Sequence, residues 1–338
     1  MKKSYFSELC IIYNQKYEEI TSNKQNHYKL KIGFIIINCA LLLYILFNSN
    51  NFNLKNMKVC VCTLGKKENR YIREFVEYYE KYGIDKIFLY DNNDFNDERF
   101  EEVIKDYIDK GFVKILNWRG QNKTMLRIWK DCYLQNYKYF DWLLFFDLDE
   151  YINLKNYENI KPFLIEKKFV NCSKIYLNWV IHTDNNLLYY DNRTLHERFP
   201  ILEPNARINN TNYNASVKTI LRGHIPNLKF TVMHIFDRSI KGCNAYGILQ
   251  DLNIWDYMSN PDLQNYYIDH YYSKLVEEFI EKINKGDVFF ENKTSFKMHR
   301  IKRFFNINDI TLEKIDYIES KTGLNLTKYR NMLTKEKK

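Results

Sequence analysis

Residues 142–150 read WLLFFDLDE, so an apolar run of five residues leads directly into a pair of carboxylates. A continuous apolar run is typical of a strand buried on both faces, as in a parallel sheet covered by helices. Asp147 and Asp149 then follow the carboxyl end of this strand, where open α/β sheets bind their ligands. Carboxylates beside a dry strand are unfavourable unless hydrogen bonds or positive charge meet them. A hard divalent cation would do so, and the pair is therefore a candidate metal site.

Strand and helix patterns alternate through the sequence before this stretch. The apolar runs are short, and the segments between them carry apolar residues at helical spacing. This alternation predicts an α/β fold with a doubly wound, mostly parallel sheet flanked by helices. If the strands are ordered 3-2-1-4, the topology brings Thr63, Asp91 and the carboxylate pair to one crevice. The predicted strands are 59–64, 86–90, 112–116 and 142–146, and the predicted helices are 67–82, 100–111 and 123–137.

The alternation becomes weaker after Glu150. A helix is predicted at 269–285, where it would carry His270 and Lys274. The glycine patterns of a dinucleotide site and of a P-loop do not occur in the sequence, so the tight turns that those phosphate sites need are missing. Three further strands are predicted, at 173–181, 217–222 and 230–236.

Charge is distributed along the whole chain. The 338 residues include 51 Lys and Arg against 42 Asp and Glu, which gives a formal net charge of +9. Because the basic residues are not concentrated in one segment, a solvated surface explains this charge better than a nucleic-acid groove does. We therefore expect no nucleic acid among the partners.

The seven cysteines show no disulfide framework and no zinc-ligand spacing. Cys60 and Cys62 lie one residue apart in an apolar run, so they are predicted to share one strand face as core residues. Cys132, Cys172 and Cys243 remain as candidates for a bridge.

A charge-free stretch at residues 32–47 is the strongest membrane signal. It is slightly shorter than the roughly 20 residues that span a bilayer, but lysines on its amino side can extend it by snorkelling. We predict a single transmembrane signal-anchor helix at 32–48, with a polar tail at 1–31 before it and a linker at 49–57 after it. A core helix is the alternative, although polar tracts on both sides leave nothing nearby to cover it.

The orientation of this anchor is predicted from the flanking lysines. Equal numbers lie on the two sides, but Lys29 and Lys31 are nearest to the apolar stretch and lie on its amino side. Positive residues favour the cytosolic side, which predicts a single-pass type II protein with a lumenal catalytic part. The alternative is a bacterial inner-membrane protein whose catalytic domain is cytoplasmic.

Two kinds of chemistry use an Asp-x-Asp pair at the end of a parallel strand. In a nucleotide-sugar transferase, the carboxylates hold a cation that neutralises the donor diphosphate as a leaving group. In an aspartyl-phosphate phosphohydrolase, the first Asp is a nucleophile, and Thr or Val stands two residues after the second Asp. Tyr151 occupies that position here, and three predicted strands precede the motif, which usually follows the first strand. The transferase interpretation is therefore favoured.

A series of motifs follows in succession between residues 57 and 290. They are ENRYIRE at 68–74, LYDNN at 89–93, FDLDEY at 146–151, ERF at 197–199, KTI at 218–220 and DHYYSK at 269–274. Their order and spacing resemble glycosyltransferase family 92 and related bacterial glycosyltransferases of the family-2 type. The resemblance implies a GT-A fold, Rossmann-like, at 58–290. Beyond it, we expect residues 291–338 to form a basic C-terminal helical extension. The resemblance is less close at 180–186 and at Gly223, on the side where the acceptor would bind.

The resemblance also implies roles for single residues. Asp147 and Asp149 would bind Mn²⁺ or Mg²⁺ on the diphosphate of a UDP-sugar, with His270 as a third ligand and His234 as its alternative. Lys274 would help to neutralise the departing UDP, because a cation stabilises developing negative charge. The other donor-binding residues would be Thr63, Asp91, which would contact uracil or ribose, and Asn93, and the catalytic base would be Glu197.

We therefore expect a membrane-anchored, metal-dependent enzyme. It would transfer a hexose, galactose-like, from a UDP-sugar donor to a glycan or glycoconjugate acceptor with inversion. An Asp-x-Asp phosphohydrolase and a catalytically inactive glycan-binding protein of the same fold are the alternatives. For Glu197, the alternative to a catalytic role is a salt bridge with a neighbouring arginine.

Overall fold

The fold is that of a computed structural model. It describes residues 56–121, 125–208, 211–231, 234, 236–250, 252, 257–284 and 293–335. The predicted tail, the predicted anchor at 32–48 and most of the linker lie outside these residues, so they stay predictions. Within the described ranges, every helix is too short or too polar to cross a membrane.

Ten of the described strands form one large sheet, and the other two, Arg207–Ile208 and Thr211–Asn212, pair separately with each other. The described strands are β1 (Val59–Gly65), β2 (Lys86–Asp91), β3 (Val113–Asn117), β4 (Trp142–Phe145), β5 (Glu150–Leu154), β6 (Lys174–Ile181), β7 (Arg207–Ile208), β8 (Thr211–Asn212), β9 (Val217–Arg222), β10 (Gly242–Asn244), β11 (Leu249–Gln250) and β12 (Tyr266–His270). The first four are parallel and lie in the order β3-β2-β1-β4, which confirms the predicted order. Val61 at the centre lies opposite Ile87 on one side and Leu144 on the other.

The sheet becomes mixed beyond β4. Strand β9 is antiparallel to both β4 and β6, and β10 and β11 complete that edge. Strand β12 pairs in parallel with the second half of β6 and in antiparallel with β5. Because β5 begins at Glu150 and β12 ends at His270, this pairing places these two residues opposite each other.

Helices complete the α/β architecture. They are α1 (Asn69–Lys81), α2 (Glu101–Asp109), α3 (Met125–Asn136), α4 (Ile160–Leu164), α5 (Leu195–Arg198), α6 (Val276–Asn284), α7 (Lys293–Ile307), α8 (Leu312–Thr322) and α9 (Thr327–Lys335). Helix α1 packs against the side of β1 that carries Val59 and Val61, and α3 packs against the side that carries Cys60 and Cys62. Strand β1 is therefore buried on both faces, as a parallel sheet between helices requires. The buried face of α1 is the one that its periodicity predicts, with Tyr71, Ile72, Phe75, Val76 and Tyr79.

Two disulfides cross-link the fold, so the prediction of no disulfide framework is wrong. They join Cys62 to Cys132 and Cys172 to Cys243, at sequence separations of 70 and 71 residues. Cys62 lies in the core, as predicted, but the alternation of β1 turns it towards α3 and Cys132. Cys60 is a free, buried thiol. Contacts between such distant cysteines leave no local pattern in the sequence.

The predicted helix at 269–285 is wrong in its first half. Residues up to His270 belong to β12, and the helix begins only at Val276. The aromatic residues of this segment favour a strand, and β12 fits between β5 and β6. Of the other predicted strands, 173–181 and 217–222 are confirmed as β6 and β9, and 230–236 does not form a strand in its described residues.

The C-terminal helices pack against α6 and the end of β6. Phe279 of α6 stacks on Phe304 of α7, with ring centroids 4.3 Å apart. The backbone N–H of Asp184, which follows β6, donates to Asn308 Oδ1 at 2.6 Å. Contacts group Met57–Lys338 into one unit. The predicted domain boundary at residue 290 lies outside the described residues and stays a prediction.

Candidate functional site

Three potential metal ligands meet where β5 and β12 pair. Asp149 lies just before β5, Glu150 begins it, and His270 ends β12 opposite Glu150. The backbone N–H of Tyr271 donates to the carbonyl of Asp149 at 3.0 Å, which fixes the loop before β5. One ligand atom from each of the three side chains lies within 4.8 Å of the others. We call Asp149, Glu150 and His270 the acid cluster. Strand pairing brings its members together from distant parts of the chain.

Lys218 of β9 supplies a buried counter-charge beside the acid cluster. Its ammonium is fully buried and lies 2.6 Å from Asp147 and 3.1 Å from Glu150. Burial disfavours the charged form of Lys218, but the two carboxylates outweigh burial and raise its pKa. Burial raises the pKa of Glu150 well above its usual range. The first carboxylate of the Asp-x-Asp pair, Asp147, is thus held by Lys218.

Asp149 faces a second lysine at the edge of the acid cluster. Lys282 of α6 lies 2.9 Å from Asp149 Oδ2 and donates a further hydrogen bond to the carbonyl of Tyr272 at 3.1 Å. Burial opposes the charge of Asp149, but Lys282, then His270 and Lys274, hold its pKa well below the usual range. Asp149 is therefore an anion throughout the physiological pH range.

His270 presents a neutral imidazole to the carboxylates. Burial lowers the pKa of His270 to about 3, so the ring is uncharged at neutral pH. Its Nε2 lies 3.7 Å from Asp149 and 4.0 Å from Glu150. Glu150 Oε1 is buried without a hydrogen-bond partner, which a bound cation would supply. Neutral imidazole and carboxylate oxygens are a ligand set that suits Mn²⁺, so these residues fit a divalent cation.

The predicted metal ligands are only partly brought together. Asp149 and His270 lie in the acid cluster, whereas Asp147 faces Lys218. Glu150 joins the cluster although its sequence pattern did not single it out, and its place beside Asp149 was the available signal. His234, the alternative ligand, packs against an aromatic ring and lies outside the group of three found among the described residues. The ligand roles themselves stay predictions.

The predicted donor-binding residues lie at the carboxyl ends of β1 and β2. Asp91 accepts hydrogen bonds from the backbone and side-chain nitrogens of Asn93 at 3.0 and 2.8 Å, and it pairs with Arg119 at 2.7 Å. Asn93 in turn accepts from the backbone N–H of Lys67 at 2.7 Å, which fixes the loop after β1. Thr63 Oγ1 is buried without a hydrogen-bond partner. These residues shape one edge of the sheet, and their contacts with a donor stay predictions.

A cleft of ≈ 470 Å³ opens beside the acid cluster. Lys282 lines the cleft and also contacts Asp149, so it connects the two. Lys274 lines the cleft as well, with its ammonium 3.0 Å from Glu68 and 3.7 Å from the centre of the Tyr71 ring. The cleft thus offers two ammonium groups near the clustered acids for a ligand such as a diphosphate. Two further basic side chains and five carboxylates also line it: Lys67, Arg70, Glu68, Asp97, Glu98, Glu278 and Glu281.

Glu197, the predicted catalytic base, caps its own short helix. Its carboxylate accepts from the backbone N–H and the hydroxyl of Thr194 at 2.9 and 2.8 Å, and these bonds lower its pKa. The Glu197 side chain is exposed, whereas the neighbouring Arg198 is buried. Arg198 donates to the hydroxyl of Tyr71 at 3.2 Å and to Glu278 at 3.4 Å, and both line the cleft. Arg198 is thus tied to the cleft, and the base role of Glu197 stays a prediction.

Comparison with known sequences gives matches to a single family. The sequence model of glycosyltransferase family 92 matches residues 55–310. A glycosyltransferase family 92 protein of Ricinus communis is 28% identical over 107 residues, which is 32% of this chain and 19% of that protein. Another, from Oryza sativa subsp. japonica, is 27% identical over 111 residues, which is 32% of this chain and 18% of that protein. These matches span less than a fifth of the length of the two relatives.

Comparison with solved structures gives crystal structures of S. aureus TarS. The 1-349 form in complex with UDP has a TM-score of 0.36 and 14% identity, and the match covers 76% of this chain and 77% of that chain. The complex with UDP-GlcNAc has a TM-score of 0.32 and 16% identity, with coverage of 79% and 80%. The family model spans the whole central sheet, from β1 to β12, and continues through α7. The chain therefore belongs to glycosyltransferase family 92.

Proposed function

We propose that this protein is a glycosyltransferase that needs a divalent cation and uses a UDP-sugar as donor. The observation that carries the proposal is that Asp149, Glu150 and neutral His270 meet beside a lysine-lined cleft, in a chain of glycosyltransferase family 92. Mn²⁺ is the proposed cation, and Mg²⁺ is the alternative. A cation held by these residues would neutralise the donor diphosphate and stabilise it as a leaving group.

Protein side chains prepare the cleft for a diphosphate in this proposal. Lys274 and Lys282 bring ammonium groups into the cleft, where they stabilise the negative charge that develops on the departing UDP. Uridine recognition is assigned to Thr63, Asp91 and Asn93 at the ends of β1 and β2. Arg119 and Asn93 contact the two carboxylate oxygens of Asp91. Asp91 would therefore give up part of these contacts when it binds the donor.

The transferred sugar is proposed to be a hexose, galactose-like, and the acceptor a glycan or glycoconjugate. Carboxylates accept hydrogen bonds from sugar hydroxyl groups, and Glu68, Glu278 and Glu281 line the cleft. Inversion at the sugar carbon is also proposed, and it requires one carboxylate to take the proton of the acceptor hydroxyl. Glu197 is the candidate for that role from its motif, and its helix-capping contacts support the competing structural role.

A lumenal location behind a type II anchor at 32–48 is proposed as well. It is supported by the disulfides Cys62–Cys132 and Cys172–Cys243, because disulfides persist in oxidising compartments and are rare in the cytosol. The alternative of a cytoplasmic catalytic domain predicts that these four cysteines are reduced in cells. Alkylation of free thiols in freshly lysed cells, before and after reduction, distinguishes the two locations.

The direct test of the activity is release of UDP from a panel of UDP-hexoses with a glycan acceptor. We expect turnover with Mn²⁺ that excess EDTA abolishes, and Asp149→Asn should lower it on the order of 100-fold or more, because one cation ligand is lost. Asp109→Asn is the matched control, since Asp109 is an exposed residue of α2 paired with Lys105. Full activity of Asp149→Asn, or turnover that survives EDTA, would contradict the proposed cation dependence.

The same preparation distinguishes the two other interpretations. A phosphohydrolase would release phosphate from small phosphate esters and would require Asp147 as its nucleophile. A catalytically inactive protein of this fold would bind UDP with Mn²⁺ without turning over any donor in the panel. Either result would replace glycosyl transfer as the function.

A further inference from the structure

Two lysines neutralise the carboxylates of the site, and their surroundings differ. Lys218 is fully buried and bridges two carboxylates, Asp147 and Glu150. Lys282 is 36% exposed, contacts Asp149 and no other carboxylate of the described residues, and lines the open cleft. The first lysine is therefore a fixed counter-charge, whereas the second can exchange its partner.

Lys282 contacts Asp149 Oδ2, whereas the Asp149 oxygen that faces His270 in the acid cluster is Oδ1. Its ammonium lies 2.9 Å from Asp149 Oδ2, and Asp149 is one of the three residues that could hold the cation. A cation held through Oδ1 would lie close to this ammonium, and two positive charges on one carboxylate repel each other. Cation binding consequently favours the release of Lys282 from Asp149. Within the described residues, its ammonium is otherwise held by the carbonyl of Tyr272 at 3.1 Å and by the Tyr272 ring, whose centre lies 4.8 Å away.

The cleft gives Lys282 a second position. It shares that cleft with Lys274, whose ammonium already lies near Glu68. A diphosphate in the cleft would accept charge-assisted hydrogen bonds from a released ammonium. Lys282 would then neutralise Asp149 before a cation binds. After the cation binds, it would neutralise the diphosphate of the donor.

We propose that Lys282 is a displaceable counter-ion, which holds Asp149 in the absence of a cation and turns to the donor diphosphate once a cation binds. This inference rests on the proposed function. It makes cation and donor binding cooperative, because the ammonium that the cation releases becomes available to the donor. It also supplies a counter-charge for Asp149 before a cation binds, when this largely buried carboxylate would otherwise face the neutral His270 ring.

The test uses Lys282→Met in the full-length protein and two binding measurements that need no turnover. The electron paramagnetic resonance signal of free Mn²⁺ reports Mn²⁺ affinity, and calorimetry reports UDP affinity at saturating Mn²⁺. We expect Lys282→Met to bind Mn²⁺ about tenfold more tightly and UDP about tenfold more weakly than the wild type. Lys282→Arg keeps the positive charge and should retain both wild-type affinities within a factor of about three.

Lys274→Met is the matched control in the same cleft. Lys274 pairs with Glu68 and does not contact the acid cluster, so its loss should weaken UDP binding and, through its charge alone, raise Mn²⁺ affinity by no more than about a factor of three. If Lys282→Met binds Mn²⁺ no more tightly than the wild type, the inference is overturned while the proposed function stands. If the wild type binds neither Mn²⁺ nor UDP, the proposed function fails first, and the inference fails with it. Lys282→Gln replaces the Met variant if that protein lacks a cooperative thermal transition.

Discussion

Lys314 of α8 and Asp184 after β6 form a buried ion pair. Their charged atoms are 2.6 Å apart, and the side chains are only 1% and 2% exposed. Lys314 also donates to Asn186 Oδ1 at 2.8 Å and to the carbonyl of Asp309 at 3.0 Å. The C-terminal helices are therefore attached to the sheet by charge as well as by apolar packing.

Lys314→Met should destabilise the protein by about 3–5 kcal/mol, because it leaves the Asp184 carboxylate buried without its counter-charge. Urea unfolding of purified protein measures the change. Adding Asp184→Asn should recover part of the loss, since the unpaired charge is then removed as well. Lys321→Met, at an exposed position of the same helix, should change stability by no more than about 0.5 kcal/mol. Equal effects at Lys314 and Lys321 would show that the pair does not stabilise the fold.

Reduction of the disulfides should lower the free energy of unfolding of the protein. The Cys172–Cys243 disulfide closes a loop with a sequence separation of 71 residues. A loop of that size corresponds to about 4 kcal/mol of stabilisation, chiefly through the unfolded chain. We expect the double variant Cys172→Ala/Cys243→Ala to unfold at lower urea concentration and to respond less to reductant than the wild type. A wild-type urea midpoint that does not move on reduction would contradict both disulfides.

The first half of the fold could be predicted because its signals are local. Apolar runs mark the four parallel strands, and helical spacing marks α1 and α2 between them. The order β3-β2-β1-β4 then followed from the general topology of such sheets. Strand β12 was mistaken for a helix because its position depends on pairing with β5 and β6, which are distant in the sequence.

The candidate site could be predicted only in part, for the same reason. Asp149 stands out because it follows a dry strand, and His270 stands out through its motif. Glu150 becomes a potential ligand only when β12 places His270 opposite it. Lys218 and Lys282 come from β9 and α6, so their pairing with the acids is a tertiary feature that no spacing along the chain reveals.

Glu278 should make the stability of the protein depend on pH. Burial raises the pKa of Glu278 to about 7, although Arg70 acts in the opposite direction. Between about pH 4.5 and 7 the folded state therefore holds a proton that the unfolded state has lost. Stability should fall across this interval as pH rises, by up to about 3 kcal/mol. Urea unfolding at several pH values checks the slope.

Glu278→Gln should remove this decline because glutamine does not ionise. Glu281→Gln is the control, since Glu281 lines the same cleft with a side chain that is 53% exposed. It should leave the slope as in the wild type. The opposite result is a wild-type stability that rises between pH 5 and 7 and a Glu278→Gln variant that lacks this rise. It would mean that Arg70 and Arg198 keep the Glu278 carboxylate ionised.

Two conservative variants decide which carboxylates hold the cation. Glu150→Gln should weaken Mn²⁺ binding on the order of 100-fold, because Glu150 Oε1 faces the acid cluster without another partner. Asp147→Asn should weaken it by about tenfold or less, since Asp147 is engaged by Lys218 at 2.6 Å. Titration of each purified variant with MnCl₂ measures the affinities, and thermal unfolding confirms that both are folded. The opposite ranking would support the Asp-x-Asp pair with His270 as the ligand set.

Glu197→Gln separates catalysis from helix capping. The Glu197 carboxylate is bound by Thr194, and its lowered pKa makes it a weak proton acceptor at neutral pH. Glutamine preserves the reciprocal cap, so we expect nearly unchanged stability and a loss of kcat well below tenfold. Glu197→Ala should lower the urea midpoint more than Glu197→Gln does, because the bonds from Thr194 to the carboxylate are lost. Glu197→Gln could instead lower kcat by 100-fold or more, which is typical of a removed general base, and leave KM and unfolding unchanged. That result would show that Glu197 takes the proton of the acceptor. The carboxylate would then have to leave Thr194 when the acceptor binds.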